Sequence, residues 1–246
     1  RADLENKILQ AVGNPATRFQ EDSLRILRGA RFAVKYRLTP ERATLQAMLD
    51  LSALMENLAR ERIFEELCKL LPLVTAGDLQ RFAPILAAVI PELAPMVGFD
   101  QHSPHHAYDL FTHTAHVTAA VPAVLSLRWA ALLHDVGKPA TFTLDKEGHG
   151  HFYGHAEVSA QLADSILLRL KAPTALRKEV TLLVAHHMSP ILPDRKLLKR
   201  RLSRYGEQTF LHMLALQKAD YTCKGVLGEA VDFTETEVML TQLLEE

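Results

Sequence analysis

"WAALLHDVGKPATF", residues 129–142, ends an apolar helical run on a histidine and an aspartate that stand side by side. The pair is His134 and Asp135, and a glycine and a proline follow shortly to end the helix. A carboxylate at the end of an apolar helix is costly to bury unless it is paired or bound to a metal. Lys138, close behind the pair, could hold a phosphate as a point charge. The stretch therefore predicts a helical fold that carries a polar site at the end of a core helix.

The rest of the chain predicts an all-α fold with one exception. Apolar residues recur at helical spacing through most of the 246 residues, and alternating patterns are nearly absent. The exception is "TFTLDKEGHGHFYGH", residues 141–155, where threonines and aromatic residues flank a Lys-Glu-Gly turn and predict a short β-hairpin. Several prolines interrupt residues 82–106, so we expect a junction near residue 98. The predicted domains are residues 1–98 and residues 99–246.

Composition excludes several classes of protein. Apolar residues make up 48% of the chain, which is enough for a core, but no uninterrupted apolar window is long enough to span a membrane. No signal-peptide pattern opens the chain. Cys68 and Cys223 lie far apart without CxxC spacing, which argues against a disulfide framework or a zinc ribbon and fits the reducing cytoplasm. A formal net charge of −1 gives no global argument for a nucleic-acid partner.

Histidine is confined to the second half of the chain. All 12 histidines fall between His102 and His212, and several lie with aspartates on successive predicted helices. Imidazole nitrogens together with carboxylate oxygens suit manganese, iron, nickel, cobalt or zinc better than magnesium. Such an ion activates water and polarises a phosphoryl oxygen. The candidate metal ligands are His113, His134, Asp135, His155, His186, His187 and Asp220. A structural or surface role is the default for His102, His105, His106, His116, His149, His151 and His212.

A second informative stretch is "RFQEDSLRILRGARFAVKYRL", residues 18–38, which places its apolar and charged residues on opposite arcs of a helix. One interpretation is a solvated face with ion pairs such as Asp22–Arg25, with Asp22 also supporting the helix N-terminus. The other is base recognition, because an Asp22 acceptor beside an Arg25 donor matches the pairing edge of cytosine or adenine. Gly29 would leave room for a flat base. The candidate nucleotide-binding residues are Asp22, Arg25 and Arg28.

"THTAHV", "LLHDVGKP" and "LQKADYT" resemble the HD superfamily of metal-dependent phosphohydrolases. The resemblance implies a helical bundle that binds its metal through an H…HD…D pattern. It also implies that some members hold a second ion through additional histidines, here His155 and His186 or His187. Asp135, Lys138 and His155 are then the expected catalytic residues. The primary ligands implied are His113, His134, Asp135 and Asp220.

"EDSLRILRGARF", residues 21–32, and "ARERIFEELCKLL", residues 59–71, resemble the class II tRNA nucleotidyltransferase and poly(A) polymerase family, specifically bacterial CCA-adding enzymes. The resemblance implies that Asp22 and Arg25 select CTP and ATP, that the helix from Glu61 to Glu65 supports the neck, and that tRNA is a partner. The family's catalytic head, which uses magnesium, carries GGxxRD and DxD patterns that do not occur here. We therefore expect the neck, body and HD portion of a longer enzyme, which cannot transfer nucleotides without the head.

Three functions are consistent with these patterns. The first is a C-terminal portion of a CCA-adding enzyme whose HD domain hydrolyses a phosphorylated nucleotide or RNA end; the resemblance implies 2′,3′-cyclic phosphodiesterase, 2′-nucleotidase and phosphatase activity. The second is a non-catalytic tRNA-binding module. The third is a stand-alone HD nucleotide phosphohydrolase. The basic run "DRKLLKRRLSRYG", residues 194–206, is either a solvated helix face or a contact with the tRNA backbone.

Overall fold

The computed structural model describes residues 5–103, 107–225 and 232–245, so His105 and His106 lie outside the described residues. The first half is built from short helices joined by 3₁₀ turns at Ser52–Asn57, Leu71–Leu73 and Pro91–Met96. Its helices are α1 (Pro15–Glu21), α2 (Leu24–Tyr36), α3 (Arg42–Asp50), α4 (Arg60–Leu70), α5 (Ala76–Arg81) and α6 (Ala83–Val89).

The second half is also helical and contains the predicted hairpin. Strand β3 (Thr143–Leu144) pairs antiparallel with β4 (Gly150–His151), which confirms the all-α fold with one short hairpin. The sequence did not predict the parallel pair β1 (Ile8–Leu9) and β2 (Thr39–Pro40). The helices are α7 (Leu110–Ala120), α8 (Leu125–Leu133), α9 (Lys138–Thr141), α10 (His155–Arg169), α11 (Thr174–His186), α12 (Arg195–Tyr205), α13 (Glu207–Thr222) and α14 (Thr234–Leu244).

Residues 18–38 form two helices rather than one. Asp22 is extended, with φ −150° and ψ 99°, and its Oδ1 accepts a hydrogen bond from the backbone N–H of Leu24 at the start of α2. Within α2, the predicted apolar arc is buried, as the spacing of Leu27, Ala30 and Val34 requires. The sequence therefore predicted the buried face, whereas the break came from a local side-chain bond to the backbone.

The elements on both sides of residue 98 pack against each other around one apolar cluster. Phe64 of α4 stacks on Trp129 of α8, with ring centroids 6.0 Å apart. The buried Arg128 guanidinium donates to the backbone carbonyls of Val74 and Thr118, at 3.4 and 2.7 Å. These contacts satisfy a buried charge across the two halves. The division into residues 1–98 and 99–246 stays a prediction.

Helix α8 lies at the centre of the second half and delivers the His-Asp pair. All of its residues from Ser126 to Leu133 are buried, and it packs against α7, α10, α11 and α13. His134 follows as the residue that caps its C-terminus. Helix α11 starts at Thr174, directly after Pro173, and has no side-chain cap. The end of α8 is thus surrounded by the helices that carry the other candidate ligands.

Among the described residues, none of the helices has the length and apolar character needed to cross a bilayer.

Candidate metal centre

The structure brings most of the predicted ligands together as two groups that share one carboxylate. The first group is His113, His134 and Asp135, and the second is Asp135, His155 and His187. In each group the potential ligand atoms lie within 4.8 Å of one another, and all five side chains are buried. Asp135 belongs to both groups, so its two oxygens can serve two adjacent cation positions.

Four different helices and their ends supply these side chains. His113 lies within α7, the His134–Asp135 pair follows α8, and His155 is the first residue of α10. His187 caps the C-terminus of α11. On α13, Asp220 places its Oδ1 3.0 Å from His113 Nε2 and 3.8 Å from His134 Nε2. Asp220 therefore borders the first group.

The backbone orients the rings of all four histidines in the same way. In each ring Nδ1 lies within hydrogen-bond distance of a backbone carbonyl, which only accepts, so Nδ1 carries the hydrogen. In the neutral ring Nε2 then carries a lone pair that is directed at the carboxylates. Hydrogen bonds from the other ring nitrogen commonly orient metal-bound histidines in this way. The pairs are His113 with Cys223, His134 with Ala131, His155 with Phe152 and His187 with Val184, at 3.2, 2.8, 2.8 and 2.7 Å.

Two observations show that this donor set fits divalent cations. His134 Nε2 is buried without a hydrogen bond among the described residues, although Asp135 Oδ2 lies only 3.2 Å away. His155 Nε2 and His187 Nε2 lie 3.2 Å apart, and Asp135 Oδ1 is 3.3 Å from the former. Buried polar atoms are normally satisfied, and imidazole with carboxylate is a common ligand set for borderline divalent metals.

Both carboxylates are ionised at neutral pH. Burial raises the pKa of Asp135, but the His134 imidazole, the Lys138 ammonium and the contact with His155 outweigh it and hold the pKa well below 3.8. Burial also raises the pKa of Asp220, and there the close contact with His113 and the proximity of His134 hold it below its ordinary value. Ionised carboxylates are the form that binds a cation.

Lys138 contacts the centre from the side. Its Nζ lies 2.8 Å from Asp135 Oδ2 and 3.0 Å from Gln101 Oε1, and 5.2 Å from the centroid of the Phe152 ring. Sequence reasoning missed Gln101, because a lone glutamine between two predicted segments carries no periodicity or ligand signal. Gln101 and Asp135 together hold the ammonium group at the edge of the centre.

The glycine of "HDVGKP" has a packing reason. A Cβ at Gly137 would lie 2.6 Å from the backbone nitrogen of Ser159 and 2.9 Å from the carbonyl oxygen of His155. The Gly137 N–H donates to Ser159 Oγ at 2.9 Å. The absence of a side chain therefore lets the turn after Asp135 pack directly on the start of α10, which carries His155.

A cavity of about 260 Å³ leads to the metal centre. Asp135, Lys138, His155 and Asp220 line it together with the second strand of the hairpin. Tyr153, which is 79% exposed, lies on the same cavity and shows that it reaches the surface. The cavity gives a molecule from solution access to the candidate metal ligands and to Lys138.

His186 does not join the centre. Successive residues on a helix point about 100° apart, so only one of the two adjacent histidines can face inward. The structure selects His187, whereas His186 lies beside Ser189 and Tyr205, at 3.5 Å from each hydroxyl. Burial, followed by the nearby charges of Arg204 and Arg201, lowers the pKa of His186 below 6.5.

The candidate nucleotide-binding residues border a separate cavity of about 380 Å³ in the first half. Arg25, Arg28 and Gly29 line it with Phe32, but Asp22 does not. Arg25 pairs with Glu21 at 2.8 Å rather than with Asp22. Asp22 is occupied by the Leu24 N–H, with Arg62 3.6 Å away. Arg25, the expected donor, therefore lies at the cavity, whereas Asp22, the expected acceptor, faces other partners.

Glu66 is a buried residue that sequence reasoning missed. Its carboxylate lies 2.7 Å from Arg31 Nε and 3.5 Å from Arg28 Nε. Burial raises the pKa of Glu66, but the Arg31 hydrogen bond and the neighbouring cations lower it further, so the carboxylate stays charged. Helix α4, with Glu61 to Glu65, is the helix expected to support the neck. Its next residue, Glu66, lies beside Arg28, which lines the cavity.

Two family models match the chain in agreement with this geometry. The HD domain model matches residues 105–224, the segment that carries the metal centre. A model described as "Probable RNA and SrmB- binding site of polymerase A" matches residues 37–76 of the first half. The two matches occupy different halves of the chain.

Curated relatives extend over most of the chain. An A-adding tRNA nucleotidyltransferase of Deinococcus radiodurans is 37% identical over 232 residues, covering 89% of this chain and 52% of the relative. A CC-adding tRNA nucleotidyltransferase of Thermus thermophilus is 38% identical over 243 residues, covering 93% and 55%. The chain is homologous to tRNA nucleotidyltransferases over most of its length. A Multifunctional CCA protein of Aromatoleum aromaticum is 34% identical, covering 76% and 47%.

The chain spans about half the length of the curated tRNA nucleotidyltransferases it matches. A solved structure titled "tRNA-processing enzyme (apo form 2)" aligns with this chain at a TM-score of 0.53 and 17% identity. The alignment covers the whole of this chain and 66% of the chain in that structure. At that identity the likeness concerns the fold alone. The likeness to tRNA nucleotidyltransferases therefore rests on the sequence relatives.

Proposed function

We propose that the metal centre hydrolyses phosphate esters, as the HD portion of a tRNA nucleotidyltransferase. The observation that carries this proposal is Asp135, a buried ionised carboxylate shared by two groups of inward-facing histidines. A pair of adjacent cation positions bridged by one carboxylate is the arrangement used to stabilise both the attacking and the leaving oxygen in phosphoryl transfer. The HD domain match over residues 105–224 supports the same chemistry.

We assign the ligands to two positions. His113, His134, Asp135 and Asp220 would hold the first ion, and Asp135, His155 and His187 would hold the second. The nitrogen-rich set favours manganese, iron, nickel, cobalt or zinc over magnesium. When bound, such ions supply a nucleophile at neutral pH and neutralise charge on the phosphoryl group.

Lys138 would bind the phosphate of the substrate. Two of the contacts of its ammonium go to Asp135 and Gln101, which fix its position at the cavity wall. An ammonium has three N–H donors, so one remains for a phosphate oxygen. Placed there, the charge of Lys138 opposes the negative charge of the ester and orients it toward the centre. The substrate would be a phosphorylated nucleotide or an RNA end.

For the first half, we infer that the cavity beside Arg25 and Arg28 receives the base of CTP or ATP. The support is its size, its three arginines (Arg18, Arg25 and Arg28) and the aromatic Phe32. Base reading by the expected pair would require Asp22 to turn from Arg62 toward the cavity. The names of the relatives and the RNA-binding match over residues 37–76 support tRNA as the partner of the longer enzyme.

Hydrolysis of a 2′,3′-cyclic nucleotide by the purified chain, with added nickel or manganese, tests the proposal. The double variant His134→Ala/Asp135→Ala should lose the activity. Exposed residues of the same types give a matched control, Asp50→Ala/His149→Ala, which should keep it. Equal activity in both double variants would reject the proposed centre. No hydrolysis with any metal, together with retained tRNA binding, would favour the non-catalytic binding module.

A further inference from the structure

A third cavity, of about 270 Å³, lies on the other side of the α11 terminus from the metal centre, and it is strongly basic. Helix α12 contributes three arginines to its wall, and the segment after α11 contributes polar groups. We call it the arginine cavity. Its lining residues are His186, Ser189, Arg200, Arg201, Arg204, Tyr205 and Met213.

The arginines of this cavity lack acidic partners within the described ranges. Arg201 donates to the carbonyl of Ser189 at 3.4 Å, and the Arg204 guanidinium lies 5.1 Å from the Tyr205 ring centroid. No carboxylate of residues 5–103, 107–225 or 232–245 forms an ion pair with Arg200, Arg201 or Arg204. Like charges at positions i and i+4, as in Arg200 and Arg204, repel each other on a helix. An anion in the cavity would remove this repulsion.

The arginine cavity and the metal centre share one short segment of backbone. His187 belongs to the centre and Met188 lines the cavity that leads to it, whereas His186 and Ser189 line the arginine cavity. The Gln217 side chain fixes this segment by donating to the carbonyls of His187 and Ser189, at 3.1 and 2.9 Å. A chain-like ligand can therefore reach both places across a single turn.

We propose that the arginine cavity is a phosphate-binding site whose ligand is a backbone phosphate of an RNA strand. Guanidinium groups match phosphate oxygens with paired N–H donors, and the hydroxyls of Ser189 and Tyr205 add neutral donors beside them. The described carboxylates of this chain do not pair with these arginines, so the phosphodiester of the ligand supplies the negative charge. The inference goes beyond the proposed hydrolysis, because binding here requires no metal ion.

The test measures fluorescence anisotropy of a fluorescein-labelled single-stranded RNA, with the chain kept metal-free by EDTA. We compare the wild type with Arg200→Ala/Arg204→Ala and with Lys178→Ala/Lys196→Ala. Both double variants remove two exposed cations from α11 or α12, but the lysines lie outside the cavity. We expect at least tenfold weaker binding for the arginine variant and less than twofold change for the lysine variant. The slope of log K against log salt should fall by about 0.7 for each phosphate that the arginine variant no longer neutralises.

Each result decides the proposal. Equal weakening of RNA binding in the two variants would show that only overall charge matters and would overturn it. A second arm adds inorganic phosphate, which should compete with RNA in the wild type and not in the arginine variant. Phosphate binding that depends on the arginines while RNA affinity does not would overturn the RNA assignment in favour of a free anion. Matching melting temperatures of the three proteins exclude unfolding as the cause.

Discussion

His155 Nε2 and His187 Nε2 face each other at 3.2 Å, and the opposite nitrogen of each ring lies within hydrogen-bond distance of a backbone carbonyl. Two neutral rings held in this way bring lone pairs together, which is unfavourable unless a proton or a cation lies between them. Because Asp135 Oδ1 lies 3.3 Å from His155 Nε2 and 3.6 Å from His187 Nε2, a cation there would have three ligands.

The first prediction concerns metal content. His187→Ala should lower the number of bound ions from two per chain to one, because the second group then keeps only Asp135 and His155. Its neighbour provides the control, since His186→Ala removes an imidazole that faces away from the centre. The measurement is elemental analysis after dialysis against manganese or nickel. Equal metal content in the two variants would contradict the assignment of His187.

The second prediction concerns Lys138. Lys138→Gln should retain bound metal but lower kcat/KM for cyclic-nucleotide hydrolysis by roughly a hundredfold, since a hydrogen bond to a charged group contributes about 1.5–3 kcal/mol. Lys146→Gln, on the exposed turn of the hairpin, should leave kcat/KM unchanged. If both variants keep wild-type kcat/KM, Lys138 does not contact the phosphate.

The third prediction concerns packing at Gly137. A methyl group there would meet the backbone of α10 at 2.6 Å, and a close-packed backbone cannot move aside cheaply. Gly137→Ala should destabilise the chain by about 1–3 kcal/mol, as overpacking usually does. Gly77→Ala in α5 would meet only Thr75 Oγ1, at an ordinary contact distance of 4.0 Å, and should be neutral or stabilising by up to about 1 kcal/mol. Urea unfolding of both variants measures the difference, and a neutral Gly137→Ala would contradict the close approach.

The fourth prediction concerns the ion pair between Glu92 and Arg169. The two terminal nitrogens of Arg169 each donate to one carboxylate oxygen of Glu92, both at 2.7 Å. Burial raises the pKa of Glu92, but the hydrogen bonds and charge of Arg169 outweigh it and lower the pKa below 4.5. The stabilisation is therefore fully present above the unfolded pKa near 4.5 and is lost as the pH falls through the folded pKa.

Glu92→Gln should accordingly cost about 1 kcal/mol or less at pH 7, because Arg169 is partly exposed and water screens the pair. The difference from wild type should shrink as the solution is acidified below the unfolded pKa. Denaturant unfolding at several pH values measures it, with the exposed Glu147→Gln as the control. A difference that grows on acidification would contradict the sign of the shift.

The fifth prediction concerns the nucleotide cavity. Arg25→Ala should weaken CTP binding about tenfold, the effect of losing about 1.4 kcal/mol of hydrogen bonding. The control is Arg81→Ala, an exposed arginine that does not line the cavity. Isothermal titration calorimetry of the purified chain and its variants measures both. Binding that is insensitive to Arg25 would leave the charged arc of α1 and α2 as a solvated face.

Sequence reasoning predicted much of the fold because helical periodicity records which faces are buried. The arc of Leu27, Ala30 and Val34 and the apolar α8 are examples. Periodicity does not record where a helix begins, since Asp22 breaks the predicted helix through its own bond to the backbone. Likewise, periodicity does not show that α11 begins at Thr174, directly after Pro173 and without a side-chain cap.

The candidate centre was predictable in its residue types and not in its geometry. Histidines and aspartates on successive helices indicated the donors, but the choice of His187 over His186 depends on the rotation of α11 against its neighbours. Gln101 and Glu66 were missed because their partners, Lys138 and Arg31, lie far along the chain and meet them only after folding. Long-range polar pairs of this kind leave no local pattern.

The hydrogen bonds from Nδ1 to backbone carbonyls have a consequence for ion exchange. Since main-chain atoms aim the rings before any ion arrives, loading one divalent metal in place of another requires little rearrangement of the helices. Discrimination among metals then falls to their supply in the surrounding medium and to their intrinsic preference for nitrogen. A protein with such a preoriented centre would remain functional when one metal becomes scarce.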